Sequence, residues 1–152
     1  MRTYIIACAL AVCVAAGACM SYESKTTSTG PSASSIAALI GTWQSATANA
    51  LPSPTSCTNF KWTPTQQTAT SVTGSFSANC PGGLNVAGTA SGTLNGTTVN
   101  WTANANASAP EIPTCNVSLT GTAELGVNSI RVPYSGNTCL GPVSGVEILN
   151  KK

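Results

Sequence analysis

The stretch LNVAGTASGTLNGTTVNW, residues 84–101, decides the fold class of this chain. Its apolar residues fall mostly at alternate positions on both sides of the pair Asn95-Gly96. Alternation with period 2 is typical of half-buried β-strands, and Asn-Gly between two such runs is typical of a type I′ hairpin. The stretch therefore predicts two antiparallel strands joined by a tight turn.

The same alternation continues along the chain in both directions. Thr and Ser fill many of the intervening positions, and Thr is a good strand former. One short helical turn is predicted at Ser35–Ile40, before Gly41. Residues 36–152 are therefore predicted to form one all-β antiparallel meander of about eight strands. The further apolar runs of shared parity are Phe60 and Trp62; Val72, Phe76 and Ala78; Val117 and Leu119; Ile130, Val132 and Tyr134; Val146 and Ile148.

Eight strands can close into a barrel or stack as a β-sandwich. Closure leaves no exposed edge strand, and this chain has few charges with which to guard an edge, so we expect a barrel, with a sandwich as the alternative. An internal repeat further predicts two four-stranded halves, the alternative being coincidence in an Ala-, Asn- and Thr-rich background. At a shift of 58 residues Trp43 aligns with Trp101 and Cys57 with Cys115, and at a shift of 59 Cys80 aligns with Cys139 and Gly82 with Gly141.

The N-terminus has the features of an export signal, which we place at residues 1–18. Arg2 precedes the unbroken apolar run Ile5–Ala16, whose 12 residues fall short of the roughly 20 that span a bilayer. The following Ala16-Gly17-Ala18-Cys19 resembles the lipobox of bacterial lipoproteins, which implies an acylated Cys19. Residues 19–35, rich in Ser and Thr, predict a flexible tether. We expect a lipid-anchored protein of the bacterial cell envelope; a secreted or periplasmic protein is the alternative.

Four cysteines remain in the body once Cys8 and Cys13 leave with the signal and Cys19 is acylated. An even set in an exported domain indicates a disulfide framework. Of three possible pairings we prefer Cys57–Cys80 and Cys115–Cys139, because each pair brackets one candidate hairpin. Direct pairing of the first two cysteines places Phe60 opposite Ser77, so we expect a β-bulge there. Direct cross-strand pairing of Cys115 with Cys139 would cause the same mismatch of apolar faces, which makes Gly136 a candidate for a second bulge.

Charge is scarce, and this excludes several function classes. The 152 residues include six Lys or Arg, four Glu, no His and no Asp. A His-based triad, a His metal site and an Asp-rich calcium loop are therefore excluded. A net charge of +2 gives no electrostatic footprint for nucleic acid. Nothing places Glu111, Glu124 and Glu147 together, so we expect no enzyme activity, no metal and no cofactor.

Gly41-Thr42-Trp43 resembles the Gly-x-Trp signature on the first strand of calycin barrels, among them lipocalins and avidins. The resemblance implies a barrel whose first-strand Trp closes one end and whose bowl binds small apolar or amphipathic ligands. Avidins also hold biotin with a polar set that includes an Asp, and this chain has no Asp. Biotin binding is therefore not implied.

Three functions stay open at this point. The preferred one is a monomeric envelope barrel that binds a small apolar or carbohydrate ligand, or an envelope protein. The others are a structural or adhesive surface module, and an inhibitor of a hydrolase that presents the loop Ala50–Ser56 or Ala107–Thr114. Arg131 would anchor a ligand only if it faced inward, and its alternation with Ile130 and Val132 favours solvent. The candidate ligand-binding residues, for which core packing is the simpler role of the aromatics, are Trp43, Trp62, Trp101, Arg131 and Tyr134.

Overall fold

The computed structural model describes residues 38–152, and in this part the chain is almost entirely β-strand. The only helix among these residues is the short 3-10 turn Pro81–Gly83, and none is long and apolar enough to cross a membrane. Ala38–Ile40, the described part of the predicted turn, is not helical. The predicted signal peptide, Cys19 and tether lie outside the described residues. The strands are β1 Trp43–Ser45, β2 Thr58–Gln67, β3 Ser71–Cys80, β4 Leu84–Asn95, β5 Thr98–Ala109, β6 Ile112–Leu125, β7 Ser129–Thr138 and β8 Gly141–Lys151.

The eight strands form a closed antiparallel barrel in chain order. The short β1 completes it, because Trp43 pairs with Trp62 of β2 on one side and with Lys151 of β8 on the other. The predicted meander barrel is therefore confirmed, and the sandwich is excluded. The bounds of β3 and β7 coincide at a shift of 58 residues, which supports the internal repeat.

The interior is filled by the predicted alternating apolar residues in every strand except the last. In β8 the prediction is wrong: Val146 and Ile148 face outward, 51% and 40% exposed, while Val143 and Leu149 are buried. The cause lies in the neighbouring strand, where Tyr134 pairs with Gly145. A side-chain carbon at Gly145 would lie 2.7 Å from the Tyr134 oxygen. Tyr134 is buried, so glycine must occupy the inward position beside it.

Both predicted disulfides, Cys57–Cys80 and Cys115–Cys139, are confirmed and lie at one end of the barrel. The first predicted bulge is also confirmed, because the β2–β3 register shifts between Thr58 and Lys61. The bulge predicted at Gly136 is wrong. The β6–β7 register does not shift, Gly136 pairs with Leu119, and Cys139 lies in the turn that follows β7. Because a disulfide to a turn needs no direct cross-strand pair, no bulge is required.

The hairpin between β4 and β5 has a different turn from the predicted one. Asn95 pairs with Thr98, so the two loop residues are Gly96 and Thr97 rather than Asn95 and Gly96. Only Gly96 has a positive φ, 60°. A type II′ turn needs a positive φ only at its first central residue, whereas type I′ needs one at both. The φ values therefore correspond to type II′.

The end opposite the disulfides is covered by residues 38–42. Leu39 is 1% exposed, and its carbonyl accepts a 2.7 Å hydrogen bond from Trp43 Nε1. The Leu39 N–H donates to Gln67 Oε1 (2.8 Å), and Lys151 Nζ donates to the Ala38 carbonyl (2.8 Å). Trp43 thus helps to close one end of the barrel, as the calycin resemblance implies.

Candidate functional site

An apolar cavity of about 40 Å³ lies inside the barrel, toward the end covered by Leu39. No ionisable side chain contributes to its walls. An ordered water needs about 10–15 Å³, so the cavity can hold water or a small molecule. The residues that form most of the wall are Phe60, Trp62, Phe76, Val99, Trp101, Leu125, Ile130 and Leu149.

Trp101 enters the cavity because glycines flank it on both neighbouring strands. It pairs with Gly92 of β4 and with Gly121 of β6. A side-chain carbon at Gly121 would lie 3.1 Å from Trp101 Nε1, and one at Gly92 would lie 3.4 Å from Trp101 Cβ. A larger residue at Gly121 would therefore press on the indole, whereas one at Gly92 would press mainly on the Val99 side chain. The glycines leave room for the ring to lie in the interior, where it is buried.

Trp62 shares the cavity and a chemical property with Trp101. Both indole Nε1 atoms are buried, and neither has a hydrogen-bond acceptor among the described residues. A buried donor left unpaired costs about 1–3 kcal/mol, so buried indole N–H groups usually find a partner. The wall of the cavity is therefore apolar, and two of the residues that form it carry buried hydrogen-bond donors without a partner.

Trp43 and Tyr134 are buried outside the wall of the cavity. The Tyr134 hydroxyl donates to the Cys57 carbonyl (2.8 Å) and accepts from the Cys57 N–H (2.7 Å), which fixes the start of β2. Burial raises the pKa of this phenol, the hydrogen bond to Cys57 opposes the rise, and the charge of Glu147 adds to it. Both side chains are thus engaged in holding the barrel together.

Arg131 lies on the outer face, away from the cavity. Its Nη1 atom is 3.3 Å from Glu124 Oε1, and both side chains are about half exposed. The structure therefore brings Trp62 and Trp101 together, and it leaves Arg131, Trp43 and Tyr134 elsewhere.

Glu147 is an inward-facing residue that the sequence interpretation missed. It lies between Gly145 and Leu149 on the inner face of β8, half-buried, and accepts a 2.5 Å hydrogen bond from Ser45 Oγ. Ser45 Oγ in turn accepts from the Phe60 N–H (2.8 Å). Burial raises the pKa of the Glu147 carboxyl, and the hydrogen bond from Ser45 opposes the rise.

The internal sequence repeat contains a signal that Glu147 faces the interior of the barrel. The shift of 59 residues that aligns Cys80 with Cys139 also aligns inward Leu84 with Val143 and inward Ala90 with Leu149. Continued through β8, it aligns inward Gly88 with Glu147 and so places the carboxylate inside. The alternation of β8 taken alone favours the opposite face.

The raised pKa of the Glu147 carboxyl should make the free energy of unfolding fall as the pH rises above the unfolded-state pKa of a glutamate. Since burial raises its pKa in the folded protein, the stabilisation is fully present below the unfolded-state pKa, about 4.3, and is lost as the pH rises through the folded-state pKa. Urea unfolding at several pH values measures the decline, and Glu147→Gln should remove this part of it. Glu124→Gln, on the outer face, is the matched control and should leave it in place. An undiminished decline in Glu147→Gln would contradict the assignment.

The chemistry open to the site is binding by apolar contact and hydrogen-bond donation. Among the described residues no three His, Cys, Asp or Glu side chains are grouped as a metal site would require. No family model matches this sequence, and no curated protein sequence is similar enough to count as a relative.

Proposed function

We propose that the barrel binds a small, uncharged, mostly apolar molecule that carries one or two acceptor oxygens. The observation that carries the proposal is that two residues in the wall of one apolar cavity, Trp62 and Trp101, each have a buried indole N–H without a partner. An acceptor oxygen that reached either indole N–H would satisfy a buried donor, which costs about 1–3 kcal/mol when unpaired. A charged group is disfavoured there, because no ionisable side chain lines the cavity to offset its desolvation.

The size of the cavity limits the ligand. Sites for drug-sized ligands measure about 300–1,000 Å³, whereas this cavity measures about 40 Å³. The molecule is therefore small. A longer molecule would have to displace Leu39, which is buried at the covered end of the barrel. The proposed role is binding without catalysis by a monomer.

Spectra of the three indole N–H groups test the proposal directly. The probes are acetone and isobutene, which have nearly the same shape but differ in that only acetone carries an acceptor oxygen. We expect acetone to shift the ¹⁵N–¹H resonances of Trp62 and Trp101, and isobutene to shift them less. Trp43 is the internal control, because its Nε1 already donates to the Leu39 carbonyl. Equal shifts from both probes, a shift of Trp43 alone, or no shift would overturn the proposal.

The setting of this function is a separate part of the proposal. Two disulfides indicate an oxidising compartment outside the cytoplasm. We take the protein to be held at a bacterial membrane by an acylated Cys19, on the strength of the lipobox-like sequence before it. Cys19→Ala should then release the protein from the membrane fraction into the soluble fraction. Equal membrane association of the variant would refute the anchor and leave the proposal for the cavity standing.

A polar groove on the outer face favours a second candidate function, adhesion to a neutral glycan. Two shallow depressions meet at Asn137, and amide and hydroxyl groups line them. The carboxamides of Asn104, Asn106, Asn116 and Asn137 have no partner among the described residues and are free for sugar hydroxyls. Retention on cellulose, chitin or starch that is lost in Asn104→Ala/Asn137→Ala, but not in Thr65→Ala/Gln66→Ala on β2, would support adhesion. Equal retention of both variants would exclude it.

A further inference from the structure

The loop between β1 and β2, residues 46–57, presents an apolar side chain to solvent at the disulfide end of the barrel. Leu51 is 90% exposed. Single exposed aliphatic residues are common on protein surfaces and carry no meaning alone. Here, however, the backbone on both sides of Leu51 is held by hydrogen bonds to the barrel.

On the N-terminal side, two side chains hold the peptide group that joins Ala50 to Leu51. Thr58 Oγ1 and Asn59 Nδ2 both donate to the Ala50 carbonyl, each at 2.9 Å. Asn59 lies in the β2–β3 bulge with a φ of 53°, in the left-handed region that Asn tolerates better than most residues. The bulge that corrects the strand register therefore also places an amide beneath the loop.

On the C-terminal side, the loop is joined to β8 and to the disulfide. The Thr55 carbonyl accepts from the Ser144 N–H at 2.8 Å, and the Ser53 and Ser56 hydroxyls are 2.6 Å apart. Cys57, which ends the loop, is bonded to Cys80 and held by the Tyr134 hydroxyl. Leu51 thus projects from a loop anchored at both ends.

The sequence of the loop adds rigidity and resistance to cleavage. Pro52 and Pro54 restrict φ to about −65°, so less conformational entropy remains to be lost on binding. The Leu51–Pro52 bond is a tertiary amide without an N–H, which makes it a poor bond to cleave after Leu51. No residue from 46 to 60 is charged, so a partner would recognise the loop by an apolar pocket rather than by ionic contacts.

We propose that this loop inhibits endopeptidases by placing Leu51 in the apolar pocket that receives the side chain before the scissile bond. The partner is a serine endopeptidase of chymotrypsin-like or subtilisin-like specificity. The braced backbone holds the loop in a bound conformation in advance, and Pro52 keeps it from turning over as a substrate. This activity is independent of the cavity, which lies toward the opposite end of the barrel, so either proposal can fail without the other.

Inhibition of chymotrypsin and subtilisin by the oxidised protein, measured with chromogenic peptide substrates, tests the proposal. We expect both enzymes to be inhibited and trypsin, whose pocket takes basic side chains, to be unaffected. Leu51→Asp should weaken inhibition by about 30-fold or more, as for loss of a hot-spot side chain. Val127→Asp is the matched control, since Val127 is 96% exposed in the β6–β7 turn at the other end, and it should leave inhibition unchanged.

A second variant separates inhibition from simple digestion. Pro52→Ala restores an ordinary secondary amide after Leu51, so we expect mass spectrometry to show cleavage at that bond and inhibition to fade with time. In the parent protein the bond should stay intact over the same period. Absence of inhibition, inhibition that survives Leu51→Asp, or rapid cleavage of the parent loop would each overturn the proposal. Thermal unfolding of each variant confirms that the barrel is intact.

Discussion

Leu149→Ala should lower the free energy of unfolding by about 2–5 kcal/mol, whereas Ile148→Ala, at the next position of β8, should cost less than about 1 kcal/mol. Leu149 is 3% exposed and forms part of the cavity wall, while Ile148 is 40% exposed on the outer face. Truncation of the inward residue removes buried apolar surface and enlarges a cavity. Truncation of the outward residue does little of either.

Urea unfolding of the two variants at one pH measures the difference. The pair is well matched, because both changes cut a branched four-carbon side chain back to a methyl group at adjacent positions of one strand. Comparable losses in the two variants, or a larger loss for Ile148→Ala, would mean that β8 faces the other way. Glu147 would then be exposed, and its predicted pH dependence would disappear as well.

The second large effect is expected from the disulfide that joins the start of β2 to the end of β3. Cys57→Ala/Cys80→Ala should lower the free energy of unfolding by about 3 kcal/mol or more. The bridge closes a loop with a sequence separation of 23, and opening it restores conformational entropy to the unfolded chain. Both cysteines are almost fully buried, so the alanines also leave a void in the core.

Cys115→Ala/Cys139→Ala is the control for that prediction. Its sequence separation of 24 gives nearly the same entropy change, but Cys139 is exposed in the turn after β7. The second double variant should therefore be destabilised less than the first. Chemical denaturation under non-reducing conditions measures both. Equal losses would show that loop entropy alone governs the two bridges and that burial of the first contributes nothing.

These variants also bear on the loop that carries Leu51. Cys57 ends that loop, so loss of its bridge should weaken inhibition of the endopeptidases as well as stability. Neither Cys115 nor Cys139 belongs to the loop, so loss of their bridge should weaken inhibition less than loss of the Cys57–Cys80 bridge. A loop that inhibits equally well without the Cys57–Cys80 bridge would mean that the hydrogen bonds from Thr58 and Asn59 suffice to hold it.

Much of the fold could be predicted because its signals are local or rest on rare residues. Alternation over Leu84–Trp101 depends only on the geometry of a strand, in which successive side chains point to opposite faces. The body contains only four cysteines, so few pairings are possible. Each pair that we predict encloses one candidate hairpin. The alternation and the Cys57–Cys80 pairing together predicted the first bulge. Without a bulge, Phe60 would lie opposite Ser77 and the apolar residues of the two strands would not share one face.

The candidate site was harder to predict because its residues are brought together by closure of the barrel. Trp62 and Trp101 lie in strands whose apolar residues alternate, and nothing in their local sequence distinguishes them from ordinary core residues. Only their shared cavity and their unpartnered indole nitrogens set them apart. The glycines beside Trp101 belong to two other strands, so their effect on the ring depends on register.

By itself the sequence determined that this is an all-β chain with about eight strands and two local disulfides, since strand periodicity and cysteine spacing are properties of short segments. Only the tertiary structure decided which face of β8 points inward. That strand has apolar residues at both parities, Val143 and Leu149 against Val146 and Ile148, so its periodicity is ambiguous. The choice was made across the sheet, where buried Tyr134 requires Gly145 at its side. A contact between neighbouring strands thus turned Glu147 into the barrel and left Ile148 in solvent.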